Sequence, residues 1–135
     1  MYKKKPKARQ KPKSKAKRGL ISMKRLKMLA DNVFSHWIRD RDNHICFTCG
    51  KILSPTESQN GHFIPRTHTS TRYHEKNCHV QCCGCNIFKK GNYPIYAIRL
   101  ESKYGHGILQ ELDKLKQKTV KCDRVFLNNI INKYK

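Results

Sequence analysis

Acidic side chains are scarce in this chain: 9 Asp and Glu stand against 30 Lys and Arg, for a formal net charge of +21. That balance points to a polyanionic partner. Long apolar runs are missing too. No stretch approaches the ~18 consecutive apolar residues of a membrane span, so no membrane partner is expected, and mean hydropathy is −0.81. The N-terminus is charged throughout and has no apolar core segment, so a secretory signal is not expected. Without one, the seven cysteines are read as thiols in a reducing compartment, the cytoplasm. Paired cysteines there serve as metal ligands rather than as a disulfide framework. No internal repeat is visible beyond two Cys-x-x-Cys pairs. At 135 residues the chain suits one domain with appendages and a modest core.

What is present divides along the chain. Residues 1–18 carry ten basic residues and no acidic one. Rich in Lys, Pro and Ala, they are expected to form a disordered basic arm, closed by Gly19, so that the arm spans 1–19 and a folded domain 20–135. The other 20 basic residues against the same 9 acidic ones still leave the body at +11. A basic tail is a weak signal by itself, but a basic body favours a nucleic-acid partner over a merely cationic structural protein.

From Ser22, a plausible N-cap, Leu26, Leu29/Ala30, Val33/Phe34 and Trp37/Ile38 recur at helical spacing and predict a helix over 22–41. Arg39 and Arg41 near its end face solvent or phosphate. A core over about 42–91 follows. His62-Phe63-Ile64 is β-prone and stopped by Pro65, residues 66–76 read as loop, and 77–81 alternates as a return strand. Residues 82–90 then turn into a short helix ended by Gly91. Over about 92–135 further helices are expected: one capped by Asn92 and stopped by Gly105, one near 107–118, and one over 123–134 capped by Asp123.

Two cysteine pairs, Cys46/Cys49 and Cys82/Cys85, stand 33 residues apart. Four thiolates in this pattern suit a tetrahedral structural zinc with sulfur ligands at about 2.3 Å. Cys83 competes with Cys82 for a place, but only Cys82 has the two-residue spacing to Cys85. A redox pair is the alternative, and it normally sits in a βαβ context absent here.

Between and beside these cysteines lie Gly61-His62-Phe63, Arg66, Arg72-Tyr73, Glu75, Asn77, His79, Gln81-Cys82, Cys85-Asn86 and Gly91-Asn92. This run resembles the HNH, or ββα-metal, nuclease superfamily, and within it most of all the phage recombination NinG (Rap) family. Asn86 directly after the last cysteine is also similar to phage endonuclease VII. The likeness covers roughly residues 38–105. It implies an α+β fold in which a small zinc-stapled ββα-metal core is flanked by an N-terminal helix and C-terminal helices. It also implies a phage-encoded protein of the host cytoplasm that cuts DNA to 5′-phosphate and 3′-hydroxyl ends.

Phosphodiester hydrolysis needs a base, positive charge at the phosphorane and help for the leaving oxygen. A histidine with a pKa of about 6.5 is a suitable base, and catalytic Mg²⁺ or Mn²⁺ supplies charge. His62 is the expected general base. Asn86 is expected to offer its side-chain oxygen to the cation, and Asn77 to hold the loop and orient His62. Many superfamily members place a metal-binding Asp directly before the base, where this chain has Gly61. His79 is the first candidate to complete the ligand set, since it shares a strand face with Asn77; Glu75 and Asp42 come next. Arg66 and Arg72 are candidate contacts to DNA phosphates, with solvated loop charges as the alternative; Lys89 and Lys90 are candidates too, as helix-end charges that both favour the dipole and face the DNA backbone.

The expected function is therefore a metal-dependent DNA endonuclease acting on branched recombination DNA such as Holliday junctions. No element for reading base sequence is evident. Paired cuts across a junction favour a homodimer, and the C-terminal helices are placed to build one. The alternative is a non-catalytic zinc-ribbon module that binds DNA or RNA; it needs every cysteine and lysine but not His62, Asn77 and Asn86.

Overall fold

The computed structural model describes residues 19–135. The basic arm expected over residues 1–19 therefore lies, but for Gly19, outside the described residues. The described chain is α+β: α1 (Met23–Arg41), β1 (Gln59–His62), α2 (Thr69–Arg72), β2 (Cys78–Gln81), a π-helical turn (Gly84–Phe88), α3 (Tyr93–Tyr104), α4 (Ile108–Lys116) and α5 (Arg124–Tyr134). Among the described residues no helix is long and apolar enough to cross a membrane.

Helix α1 starts where the Ser22 hydroxyl accepts the Arg25 N–H at 3.2 Å, which satisfies one of the first-turn donors that no carbonyl can reach. Its buried stripe is Leu26, Ala30, Phe34 and Ile38, one residue per turn. The guanidinium of Arg41 closes the far end. It donates to the carbonyls of Glu75 and Cys78, both at 2.7 Å, and pairs with Asp42. Asp42 in turn accepts the Val80 N–H at 2.9 Å. Arg41 is thus spent on tying α1 to β2 and does not face phosphate, and Asp42 is a structural partner, not a spare metal ligand.

Strands β1 and β2 pair antiparallel, with Gln59 opposite Gln81, Asn60 opposite Val80, Gly61 opposite His79 and His62 opposite Cys78. β1 lies earlier than the expected 62–64. The reason is Asn77: its Oδ1 accepts the Ile64 N–H at 2.8 Å, and its Nδ2 donates to the carbonyls of Ile64 and Thr71, both at 3.1 Å. A side chain takes over the ladder bonds there, so the strand stops. The expected loop over 66–76 contains the one-turn helix α2, closed by Arg72 N–H on the His68 carbonyl at 3.0 Å.

Opposed residues share a sheet face. Cys78 and Val80 pack with the α1 stripe, Leu127 and Tyr134. On the other side, Ile64, Tyr96, Leu100, Ile108 and Leu112 form a second cluster from α3 and α4. Helix α5, capped by Asp123 accepting the Phe126 N–H at 2.9 Å, lays Tyr134 edge-on to Phe34, with ring centroids 4.9 Å apart. The apolar face of α5 is therefore spent within the chain.

His79 lies wholly inside the α3 side. Its ring nitrogens meet the hydroxyls of Tyr96 at 3.2 Å and Tyr104 at 2.9 Å, and its ring stacks on Phe47 at 4.0 Å. Burial, aided by the nearby Arg41 charge, lowers its pKa to about 3. A histidine depressed in the fold contributes fully above the unfolded value of about 6.5, and its contribution is lost as pH falls toward 3, by about 1.4 kcal/mol per pH unit. Urea unfolding at stepped pH is expected to show His79→Gln losing less stability than the parent between pH 6 and 4. Parallel acid curves would refute a neutral, buried His79.

Candidate functional site

The sulfurs of Cys46, Cys49, Cys82 and Cys85 lie within 4.8 Å of one another, and Cys49 Sγ is 3.8 Å from Cys82 Sγ. A tetrahedral ion with Zn–S bonds of about 2.3 Å requires edges of about 3.8 Å, so the cluster fits a structural metal such as zinc. Local sequence explains the convergence. The Cys46 N–H bonds the Lys51 carbonyl at 2.9 Å and the Gly50 N–H returns to the Cys46 carbonyl at 2.8 Å, a tight turn that Gly50 permits with φ of 77°. The π-turn carries Cys85 beside Cys82, whose sulfur receives the Cys85 N–H at 3.4 Å. Cys83 points to solvent and Cys78 is buried; neither joins the cluster.

The thiols are charge-poised but mutually opposed. Burial raises the Cys46 thiol, yet the Thr48 hydroxyl and the backbone N–H groups of Cys49 and Cys82 outweigh it and bring it to about 6. Burial and the neighbouring sulfurs push Cys49 up to about 12. Four sulfurs this close hold four negative charges only around a cation.

Beside the cluster a cleft of about 520 Å³ opens between α1, the end of β1 and the π-turn. His62, Asn86, Arg66 and Arg72 all line it, together with Asp31, Asn60 and Tyr93. His62 Nε2 lies 2.9 Å from the carbonyl of Arg72. A carbonyl only accepts, so Nε2 carries the proton and the neutral ring presents Nδ1 as a free base. Burial, followed by the charges of Arg72 and Arg66, lowers the His62 pKa below its usual value against the pull of that hydrogen bond. The imidazole is therefore neutral at pH 7.

Asn86 Nδ2 donates to Gln59 Oε1 at 2.9 Å, which leaves the Asn86 oxygen available. Asn60, two residues before His62 and on the same strand face, has a buried side-chain oxygen with no hydrogen-bond partner among the described residues. Arg72 binds Asp31 through two hydrogen bonds, at 2.9 and 2.6 Å, and reaches the Arg66 carbonyl at 2.8 Å. Tyr73 adds its hydroxyl to Asp31 at 2.8 Å. Burial of Asp31 is outweighed by these partners, so its carboxyl titrates below the usual range.

Several sequence expectations are corrected here. His79 does not join the cleft: it pairs with Gly61, so alternation places it on the opposite sheet face from His62. Asn77 braces residues 64–71 and makes no bond to His62; the Arg72 carbonyl orients the ring instead. The Arg72 guanidinium is buried in an ion pair and is not a phosphate arm. Glu75 accepts the Tyr134 hydroxyl at 2.8 Å and pairs with Lys133, away from the cleft. Arg66, Lys89 and Lys90 are exposed, Arg66 at the cleft itself. Asn92 holds the N-cap position of α3, its carbonyl accepting the Tyr96 N–H at 2.9 Å, but its side chain makes no capping bond: the residue is left-handed, with φ of 50°, and its amide donates toward Cys85 Sγ, 3.8 Å away. Asp31 and Asn60 belong to the cleft without any motif in the sequence that marks them. The period-two spacing of Asn60 to His62 was the one signal available for the latter.

Gly61 faces the α3 side, where a Cβ would stand 2.1 Å from Gln81 Oε1. Gln81 cannot easily yield, because its amide is anchored to Thr48 Oγ1 at 3.2 Å and the Gly91 carbonyl at 2.9 Å. A carboxylate at 61 therefore has neither room nor the right direction. Gly61→Ala is expected to cost about 1–3 kcal/mol from overpacking, seen as a lower urea midpoint. An unchanged midpoint would show that Gln81 moves freely.

The family model described as bacteriophage lambda NinG protein matches residues 1–135. The chain is 31% identical to Protein ninG of Escherichia phage lambda over 85 residues, 62% of this chain and 42% of that protein. It is 30% identical over the same length and shares to Protein ninG of Escherichia phage 933W and of Salmonella phage P22. The matched stretch thus spans less than half the length of these relatives. No solved structure matches. With the family match running along its whole length, the chain belongs to the NinG family of phage proteins.

Proposed function

We propose that this protein is an HNH-type endonuclease, a metal-dependent phosphodiester hydrolase acting on branched DNA. In this reading β1, β2 and the π-turn constitute the ββα-metal core. The observation that carries it is the state of His62: a neutral imidazole with its proton pinned on Nε2 by the Arg72 carbonyl and a bare Nδ1 in an open cleft. That is the arrangement of a general base ready to take a proton from water. Arg66 at the cleft supplies a fixed positive charge beside a scissile phosphate, and the basic body supplies sequence-independent affinity for the backbone.

The donor set fits a hard divalent cation such as Mg²⁺ or Mn²⁺. The Asn86 oxygen is available, and the Asn60 oxygen is buried without a partner. Asp31 is committed to Arg72 and Tyr73, so water and the substrate phosphate would complete the shell, as is usual for Mg²⁺. When bound, such an ion stabilises the charge that develops on the phosphate and the leaving oxygen. Asn60 and Asn86 would hold it, His62 would accept the proton, and Arg72 and Asp31 keep the ring in one tautomer. Paired cuts across a junction call for two copies, and a homodimer belongs to the same reading.

The test is incubation of labelled four-way junction, duplex and single-stranded DNA with the protein and Mg²⁺ or Mn²⁺, beside His62→Ala. Cleavage of the junction by the parent alone supports the reading. Binding with no cleavage by either protein would leave a zinc-stapled nucleic-acid-binding module in its place.

A further inference from the structure

Phe88 is 81% exposed, while the other phenylalanines of the described chain are buried or half-buried. It ends the π-turn, and the backbone around it is closely held. Lys89 N–H bonds the Gly84 carbonyl at 2.9 Å, Lys90 the Ile87 carbonyl at 3.0 Å, Gly91 the Cys85 carbonyl at 3.0 Å and Asn92 the Lys89 carbonyl at 2.9 Å. Lys90, Gly91 and Asn92 are left-handed in succession, with φ of 49°, 91° and 50°. Side-chain-bearing residues adopt that conformation only where surrounding bonds impose it. The Cys85 end of the turn is fixed in the cysteine cluster, and the Gly91 carbonyl is fixed by Gln81. The protein thus holds Phe88 on a closely bonded, twice-anchored turn, yet the ring it displays stays largely exposed among the described residues.

The surroundings identify what would cover that ring. Exposed Lys89 and Lys90 follow it directly, and no acidic residue occurs between Glu75 and Glu101. Asn86 of the cleft is two residues away, at most about 7 Å along the chain. A flat apolar face flanked by cations, one nucleotide's reach from the cleft, matches a nucleobase on a phosphate backbone. A paired duplex keeps its base faces stacked inside, so the ring gains a partner only where a base is unstacked: at a branch point, flap or mismatch. We infer that Phe88 is a stacking platform for an unstacked base beside the strand held in the cleft, with Lys89 and Lys90 on that strand's phosphates. The inference rests on the proposed action on DNA and adds to it how branched DNA is told from duplex.

The experiment is a binding titration without added divalent cation, at fixed salt, with the intact protein after zinc content is confirmed. It uses a four-way junction carrying 2-aminopurine at the branch point and a matched linear duplex. Phe88→Ala is expected to weaken junction binding about tenfold, in line with the loss of one base–aromatic stack, and to abolish the 2-aminopurine quenching. Duplex affinity should change less than twofold, and Phe88→Trp should retain both junction affinity and quenching. Because the ring is largely exposed among the described residues, the thermal midpoint should move little. Equal losses on junction and duplex, or no loss on either, would overturn the platform while leaving the nuclease reading intact. A parent protein that binds neither DNA would overturn the underlying reading, and the platform with it.

Discussion

His62→Ala is expected to lower phosphodiester cleavage by roughly 10²–10⁴-fold, the usual contribution of a positioned general base, while leaving the fold and the metal cluster in place. The expectation follows from where the ring sits. Among the described residues its one side-chain hydrogen bond is to the Arg72 carbonyl, so truncation removes the acceptor Nδ1 without orphaning a buried charge. Rates should be measured at saturating Mg²⁺ or Mn²⁺ on the best-cut substrate, with zinc content and thermal midpoint of both proteins alongside. His62→Gln is the sharper comparison, since it preserves a donor to the Arg72 carbonyl but is no base at neutral pH. Equal nicking by parent and variants would remove His62 from the chemistry. Because the fold depresses the His62 pKa, the parent's rate should hold at its plateau somewhat below pH 6.5 before it falls.

Loss of the metal cluster should be more drastic for the structure. Structural zinc binding in small domains contributes about 10–16 kcal/mol at pH 7, comparable with or larger than the ~5–15 kcal/mol that holds a typical domain together. Here the four cysteines join the Cys46–Gly50 turn to the end of β2 and the π-turn, segments otherwise linked by few backbone bonds. Purified protein is expected to carry one tightly held zinc per chain. Chelation, or Cys85→Ser, should abolish the cooperative thermal transition seen by circular dichroism. A Cys85→Ser protein that melts within a few degrees of the parent would mean that packing alone holds the knuckles together.

The cysteine spacing and the helix limits were open to a reader of the sequence because they are local. Ser22 and Asp123 each bond a backbone N–H three residues on, and two cysteines in a tight turn need only each other and a glycine. The Asp31–Arg72 ion pair joins residues 41 apart, and no local pattern announces it. The placement of His79 failed for a subtler reason. Asn77 lies just outside β2, and which face His62 takes relative to His79 depends on the register that sets Gly61 opposite His79. Register is a property of the strand pair, which the alternation within one strand does not carry. Gly61 shows the same limit from the other side: read as a missing ligand, it is a space that Gln81 fills.

Arg72 binds at both of its ends. Its carbonyl fixes the proton on His62, and its guanidinium clasps Asp31 in the middle of α1. The consequence is one of timing. A chain in which α1 has not yet docked lacks the Asp31 clasp on Arg72, and with it one restraint on the carbonyl that fixes the His62 tautomer, even if the cysteine cluster has already closed. On the nuclease reading, the general base is set only once α1 has docked, and it is released when α1 loosens.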